Sequence, residues 1–406
     1  MENEGSNVIR VGSRKSELAL IQTNHVIDSL KKVYPDTEFT IVTMTTLGDR
    51  ILNVSLPKIG EKSLFTKDLE DALRNKTVDF VVHSLKDLPT SLPEGLAIGA
   101  VFEREDPRDA LVLKKGLQEY NLATLPPGSV IGTSSLRRTA QLRGMHPHLS
   151  VTDVRGNLNT RLRKLDAEDG EYSALLLAIA GLQRMGWADR ISKILPCAEM
   201  KYAVGQGALA VECRADDDDI LSLLAPLVHH ATYCRVLAER SFLNALGGGC
   251  SAPVGVSTRL KPIDDQYKLT ITGAVWSLDG TTKIEHTMEQ TFAQINTTKH
   301  TLSPTDESEK KKIRTESINP VEEYNRMISE RAGNVNCEDT RSEEELKSLK
   351  TKKIFCGLVE ISNMPGDVIE KCDSLGRELA KFLISKGALD VMKVTQDLIR
   401  SSVVKS

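Results

Sequence analysis

The chain has 406 residues, too many for one ordinary domain, and its 53 Lys and Arg against 56 Asp and Glu leave a net charge of −3. Its 40% hydrophobic and 27% charged content is that of a globular protein with sizeable cores. Near-neutral charge excludes a general electrostatic footprint for nucleic acid, and 4% aromatic residues leave little for stacking on bases.

Short apolar runs alternate with helical patterns from the start. A strand is expected at residues 8–11, a helix at Glu17–Val33, a strand at Phe39–Met44, a helix at Lys67–Arg74 and a strand at 78–83. Further strands are expected at 97–101 and 110–113. This order predicts an α/β layered fold with a largely parallel sheet. The pattern then restarts, with strands at Val130–Gly132, 151–154 and Ala174–Ala178 and helices at 136–143 and 158–165. Val11-Gly-Ser-Arg-Lys-Ser16 and Ile131-Gly-Thr-Ser-Ser-Leu-Arg-Arg138 echo each other. Each follows a strand and puts Gly, hydroxyls and arginines at the start of a helix. Two similar α/β domains are expected, each offering an anion-binding helix N-terminus. Beyond residue 231 a helix at 232–246 leads to strands at 252–258, 267–276 and 284–292 and helices at 368–386 and 391–401, the order of a separate α+β domain. The Thr-, Ser-, Glu- and Lys-rich stretch 294–351 reads as a flexible insertion.

The seven cysteines (Cys197, Cys213, Cys234, Cys250, Cys337, Cys356 and Cys372) are odd in number, widely spaced and form no Cys-x-x-Cys pair. They argue against a disulfide framework and a zinc site, and for a reducing compartment. Met1-Glu-Asn-Glu-Gly-Ser6 lacks the basic and apolar regions of a signal peptide, and no run approaches the roughly 20 apolar residues of a membrane span. A cytoplasmic protein with no membrane or nucleic-acid partner is expected.

Arg14, Arg137, Arg138, Arg155, Arg161 and Arg184 fall at or just after strand ends, beside Ser, Thr or Gly. In open α/β sheets ligands bind outside the carboxyl ends of strands, and arginine supplies paired donors matched to carboxylate or phosphate. The set implies a small ligand with several negative groups; taken singly, each arginine reads equally well as a surface residue. In Val82-His-Ser-Leu-Lys-Asp-Leu-Pro89, Lys86 and Asp87 lie on the loop after an apolar strand. A free aspartate, with a pKa of about 3.9, is ionised at neutral pH and in a cleft accepts a proton or stabilises a cation; a turn aspartate before Pro89 is the bland reading. His83 reads as a packed strand-end residue. Cys250 follows three glycines in Ala245-Leu-Gly-Gly-Gly-Cys250-Ser-Ala-Pro-Val-Gly255, which end a helix and clear side chains from the sulfur. In Val204-Gly-Gln-Gly-Ala-Leu209 two glycines permit close approach, and Gln206 is placed either to read a polar ligand group or in a tight connection between domains.

Together these runs resemble the porphobilinogen deaminase, or hydroxymethylbilane synthase, family. The resemblance runs through Val11–Ser16, Gly60-Glu-Lys-Ser-Leu-Phe-Thr-Lys67, Val82–Pro89, Gly132–Arg138, Arg155-Gly-Asn-Leu-Asn-Thr-Arg161, Ala180-Gly-Leu-Gln-Arg184, Gly205-Gln-Gly207 and Glu239-Arg240…Gly248-Gly-Cys250. It covers residues 8–292 and resumes in the C-terminal helices. It implies two periplasmic-binding-protein-like α/β domains around a cleft, residues 1–104 with 204–228 and residues 105–203, plus a C-terminal α+β domain, 229–406, that holds the cysteine. It implies the head-to-tail condensation of four porphobilinogen molecules, with loss of ammonia, into linear hydroxymethylbilane by a monomer. A dipyrromethane cofactor would be held by Cys250 through a thioether and prime the chain without being turned over. Asp87 would support loss of ammonia, stabilise the azafulvene-like cation and assist proton removal. Lys86, Ser135, Arg137, Arg138, Arg161, Arg184 and Gln206 would contact the cofactor; Arg14, Ser16, Gln22 and Arg155 the substrate. Phe65 would belong to a lid. No metal is implied. Ala252 replaces the family's usual β-branched residue, and the 294–351 insertion is longer than the family leads one to expect. Two other classes compete. A non-catalytic anion-binding protein accounts for the arginines but not for Asp87 with Cys250; a thiol transferase needs a base beside the cysteine, and none is apparent.

Overall fold

The computed structural model describes residues 8–46, 66–247, 253–295 and 353–404. Cys250, Phe65 and all but the first two residues of the expected 294–351 insertion lie outside the described residues. The strands are β1 (Ile9–Arg14), β2 (Phe39–Met44), β3 (Phe80–Ser84), β4 (Leu96–Val101), β5 (Asp109–Leu113), β6 (Val130–Gly132), β7 (Ser150–Thr152), β8 (Ala174–Ala178), β9 (Lys193–Ile194), β10 (Leu209–Arg214), β11 (Val254–Ile263), β12 (Gln266–Trp276), β13 (Lys283–Ala293), β14 (Ile354–Phe355) and β15 (Leu358–Val359). The helices used below are α1 (Glu17–Val33), α2 (Lys67–Arg74), α3 (Leu136–Met145), α4 (Leu158–Asp166), α5 (Ile179–Arg184), α6 (Asp218–Leu224), α7 (His230–Ala245), α8 (Gly366–Ser385) and α9 (Ala388–Val404).

Local chemistry explains α1. Ser16 caps it by accepting from the Ala19 N–H, Glu17 meets the positive end of the dipole, and Lys31 and Lys32 meet the negative end. Gln22, Thr23, Val26, Ile27 and Leu30 recur at helical spacing and form its buried face.

Two sheets share one pattern. In the first, the order β2-β1-β3-β10-β4 has β1 parallel to β2 and β3, then β10 antiparallel to both β3 and β4. In the second, the order β7-β6-β8-β5-β9 has β6 parallel to β7 and β8, then β5 antiparallel to both β8 and β9. The restart seen in the sequence is therefore a repeated topology. The expectation of largely parallel sheets is corrected: each sheet takes its fourth strand from chain that crosses over from the other, and a strand entering that way runs antiparallel. The third sheet is a meander, β11-β12-β13, against which α7 and α8 pack. The short β14–β15 hairpin, which follows residue 352, adds to the β4 edge of the first sheet. One apolar cluster joins this third unit to the first sheet, combining Val236, Leu237 and Phe242 of α7 with Leu85, Leu88, Ile98 and Leu358. Among the described residues no single helix is long and apolar enough to cross a membrane.

Candidate functional site

The carboxyl ends of both parallel strand sets meet on one side, where Asn159 of α4 donates to Glu17 of α1 across the gap (2.9 Å). The expected loop after β3 is a single 3-10 turn, Leu85–Asp87. In a 3-10 turn residues three apart eclipse. Leu85 and Leu88 accordingly share the buried side, at 0% and 3% exposure, and leave Asp87 exposed and Lys86 half-buried. Ser84, just before the turn, accepts from Gln22 Nε2 (3.0 Å) and Arg184 Nη1 (3.4 Å). Gln22 is thus buried and braces β3. His83 lies on the opposite face of the strand, buried, with Nε2 2.9 Å from Glu212 Oε2, as fits a packed role.

A set of cations surrounds the Asp87 turn. Burial pushes the Lys86 pKa down and Asp87 opposes it; Arg138 and Arg161 lower it further, and Asp109 raises it. Arg161, half-buried on α4, is pushed down to about 10, first by burial and then by Arg138 and Arg155, against Asp153 and Asp87. Lys86 and Arg161 are therefore each close enough to neighbouring arginines to feel their charge: Arg138 and Arg161 for Lys86, Arg138 and Arg155 for Arg161. Arg14 is half-buried at the carboxyl end of β1. Ser16 and Ser135 act as helix caps, each accepting from a backbone N–H of its own first turn, Ala19 and Arg138 respectively.

Arg137, Arg138 and Gln206 converge on a residue that the sequence did not single out. Asp109 opens β5 with no exposure. It receives Arg137 Nη1 (2.7 Å), Arg138 Nε (3.1 Å) and Nη2 (2.7 Å), and Gln206 Nε2 (2.9 Å). Burial favours its neutral form, but the two guanidinium groups outweigh burial and hold the carboxyl far below the usual range. Arg137 also donates to Lys201 O, Arg138 to Leu176 O (2.8 Å) and Gln206 Nε2 to Pro107 O (2.6 Å). Arg184 pairs with Glu105 (2.8 Å) and donates to Gly207 O (3.1 Å). These four side chains hold the two crossings between the sheets. Gly205 and Gly207 bend the second crossing at φ +73° and +87°, and a Cβ at Gly207 would lie 2.8 Å from Glu105 O. The only signal for Asp109 in the sequence is a lone carboxylate heading an apolar strand, Asp-Ala-Leu-Val-Leu.

A second buried carboxylate, Glu239 on α7, fixes the third unit to these crossings. It accepts from Arg104 Nη1 (2.6 Å) and Nη2 (3.0 Å), the Gly205 N–H (2.9 Å) and Thr258 Oγ1 (2.7 Å). Among the described residues no group of three or more His, Cys, Asp or Glu is placed to hold a metal ion.

Comparison with known proteins bears on this arrangement directly. The family model "Porphobilinogen deaminase, dipyromethane cofactor binding domain" matches residues 9–222, and "Porphobilinogen deaminase, C-terminal domain" matches residues 233–302. The chain is 58% identical over 280 residues to "Porphobilinogen deaminase" of Synechococcus elongatus, covering 69% of this chain and 86% of the relative. It is 55% identical over 280 residues to the protein of that name from Nostoc sp., covering 69% and 85%. The periplasmic aliphatic sulphonate binding protein SsuA from Escherichia coli aligns at TM-score 0.31 and 11% identity over 60% of this chain and 75% of that one, an overlap too small to bear on fold or function. The matched residues include β1–β13, the Asp87 turn and the arginine cluster, and the chain belongs to the porphobilinogen deaminase family of transferases.

Proposed function

We propose that this protein is a hydroxymethylbilane synthase that joins four porphobilinogen molecules head to tail. The observation that carries the reading is the exposed Asp87 carboxylate set among crowded, half-buried cations, Lys86, Arg155 and Arg161, on a turn facing the second sheet. Porphobilinogen carries two carboxylates, a pyrrole N–H and an aminomethyl group. The cations match the carboxylates, and Asp87 matches the N–H and the positive charge that develops as ammonia leaves.

The cationic crowding also fits a dipyrromethane, whose carboxylates carry the opposite charge. Arg155, Arg161 and Lys86 would hold it, with Cys250 as the thioether anchor. When bound it supplies a free pyrrole carbon to which the chain is added. Arg14, at the end of β1, extends the carboxylate-binding surface toward incoming substrate. Asp87 holds the substrate N–H, stabilises the cation left by loss of ammonia, and takes up the proton released when the new carbon–carbon bond forms. Each addition thus forms one C–C bond, breaks one C–N bond and releases one ammonia; release of the four-unit chain would break its C–C bond to the priming pyrrole carbon, with the hydroxyl of one water going to the freed methylene and its proton to that carbon. Ser16, Ser135, Gln22, Arg137, Arg138, Arg184 and Gln206 act behind this surface, since their polar atoms already serve caps, β3 and the crossings. Residues 1–104 with 204–228, 105–203 and 229–406 are proposed as the three domains. A reducing, cytoplasmic setting agrees with the five described cysteines, all free.

The reading is tested by incubating the purified protein with porphobilinogen and measuring ammonia against linear tetrapyrrole. Four ammonia per hydroxymethylbilane are expected. Binding without ammonia release would favour a non-catalytic anion-binding protein, and one ammonia per product would contradict repeated condensation.

A further inference from the structure

The segment that leaves the Asp87 turn has a problem of its own. It runs Leu88-Pro-Thr-Ser91 between β3 and β4, outside any sheet, and buried carbonyls there need donors. Arg240 supplies them. Its side chain, on α7, is 1% exposed. Nη1 donates to Leu88 O (3.2 Å), Nη2 to Pro89 O (2.6 Å) and Nε to Cys356 O (2.8 Å). One helical turn later, Asn244 Nδ2 donates to Thr90 Oγ1 (3.2 Å) and Ser91 Oγ (3.0 Å). Gly357, at φ +86°, leaves the space the guanidinium fills: a Cβ there would lie 3.0 Å from Arg240 Nη2. The rigid fork of a guanidinium reaches all three carbonyls at once, which a lysine ammonium on a flexible stem does not reproduce.

We propose that Arg240 is a positioning residue for the reaction, fixing the Asp87 turn to the helix that leads to Cys250. Its partners on the turn side are the two residues that directly follow Asp87. Leu85 and Leu88 pack into the same cluster as Val236, Leu237 and Phe242 of α7, so apolar contact and hydrogen bonds hold the turn from the same side. α7 ends at Ala245, five residues before Cys250 in the sequence, so the helix that holds the Asp87 turn is also the element that precedes the cysteine. Chemistry at the end of a tethered chain depends on that relation, and a misplacement of about 1 Å lowers rates by about 100-fold in well-ordered sites. The Cys356 carbonyl brings the β14–β15 hairpin into the same clamp.

This inference rests on the reading of Cys250 as the cofactor anchor, and the test separates the two. Full-length Arg240→Lys and Asn244→Ala are purified, checked for cooperative unfolding, and compared with the parent for adduct mass, kcat and KM. Arg240→Lys is expected to retain the covalent adduct and lose at least about tenfold in kcat with KM within about twofold, the mark of an interaction needed in the transition state and not for binding. Asn244→Ala, which is less buried, is expected to lose about threefold in kcat with the fold intact. A folded, adduct-bearing Arg240→Lys protein with unchanged kcat overturns the proposal. If Arg240→Lys does not fold, an Asn244→Ala protein with the parent kcat overturns it. A parent protein without any adduct contradicts the anchor reading instead, whatever the variants do.

Discussion

Asp87→Asn is expected to leave the fold and the cofactor adduct intact and to lower kcat by about 10²–10⁴-fold, the range typical for removal of a positioned acid–base group. The side chain is exposed, and Lys86, which loses its nearest counter-charge, keeps Asp109 as a second carboxylate favouring its charged form. The turn is held from beneath by Leu85 and Leu88 and behind by Arg240, none of which the substitution touches. Asparagine keeps the size and one acceptor oxygen but removes the charge. If Asp87 only shaped the turn, little activity would be lost. If it stabilises a cation and takes up a proton, the loss falls on kcat. Steady-state rates with porphobilinogen, beside a thermal melt, decide between these, and a rate within about twofold of the parent would remove Asp87 from the mechanism.

Asp109→Asn is expected to destabilise the protein by about 3–5 kcal/mol, because it leaves Arg137 and Arg138 buried without their shared carboxylate. The denaturation midpoint measures this. The pH dependence has a definite sign. A carboxyl with a depressed folded-state pKa contributes stability that is complete above the unfolded value of about 3.9 and is lost as pH falls toward the folded value. The difference between the two proteins should therefore stay constant from about pH 5 to 8 and shrink only in acid. An unchanged midpoint at neutral pH would contradict the role of Asp109 as the common partner.

The legible and the hidden parts of this molecule differ for physical reasons. The bounds of α1 match those expected from its helical pattern, and its cap and terminal charges are local features of the same segment. β12 differs by one residue at its start, and β13 by one residue at each end, from the apolar runs that predicted them. The antiparallel direction of β5 and β10 was not legible, since it follows from where the chain re-enters a sheet, and not from the residues of the strand. The β14–β15 hairpin was missed because strands of two residues carry no periodicity. At the site, the structure places Lys86, Asp87, Arg138, Arg155 and Arg161, all taken from strand-end positions, near one another. The same rule gave no means of separating Arg161, half-buried among other cations, from Arg137, whose donors meet Asp109 and Lys201 O. Partner identity is a tertiary property. Asp109, one acidic residue among many in the chain, shows its weight only when two adjacent arginines and a glutamine arrive from two distant segments.

Cys250 and Asp87 together define the account, a tether at one end and chemistry at the other. The most direct test is denaturing intact-mass measurement of the purified full-length protein, with the added mass mapped to a peptide. The account predicts one covalent addition of dipyrromethane size, located on Cys250, in active protein. A fully active chain of unmodified mass, or an addition on another residue, would contradict it.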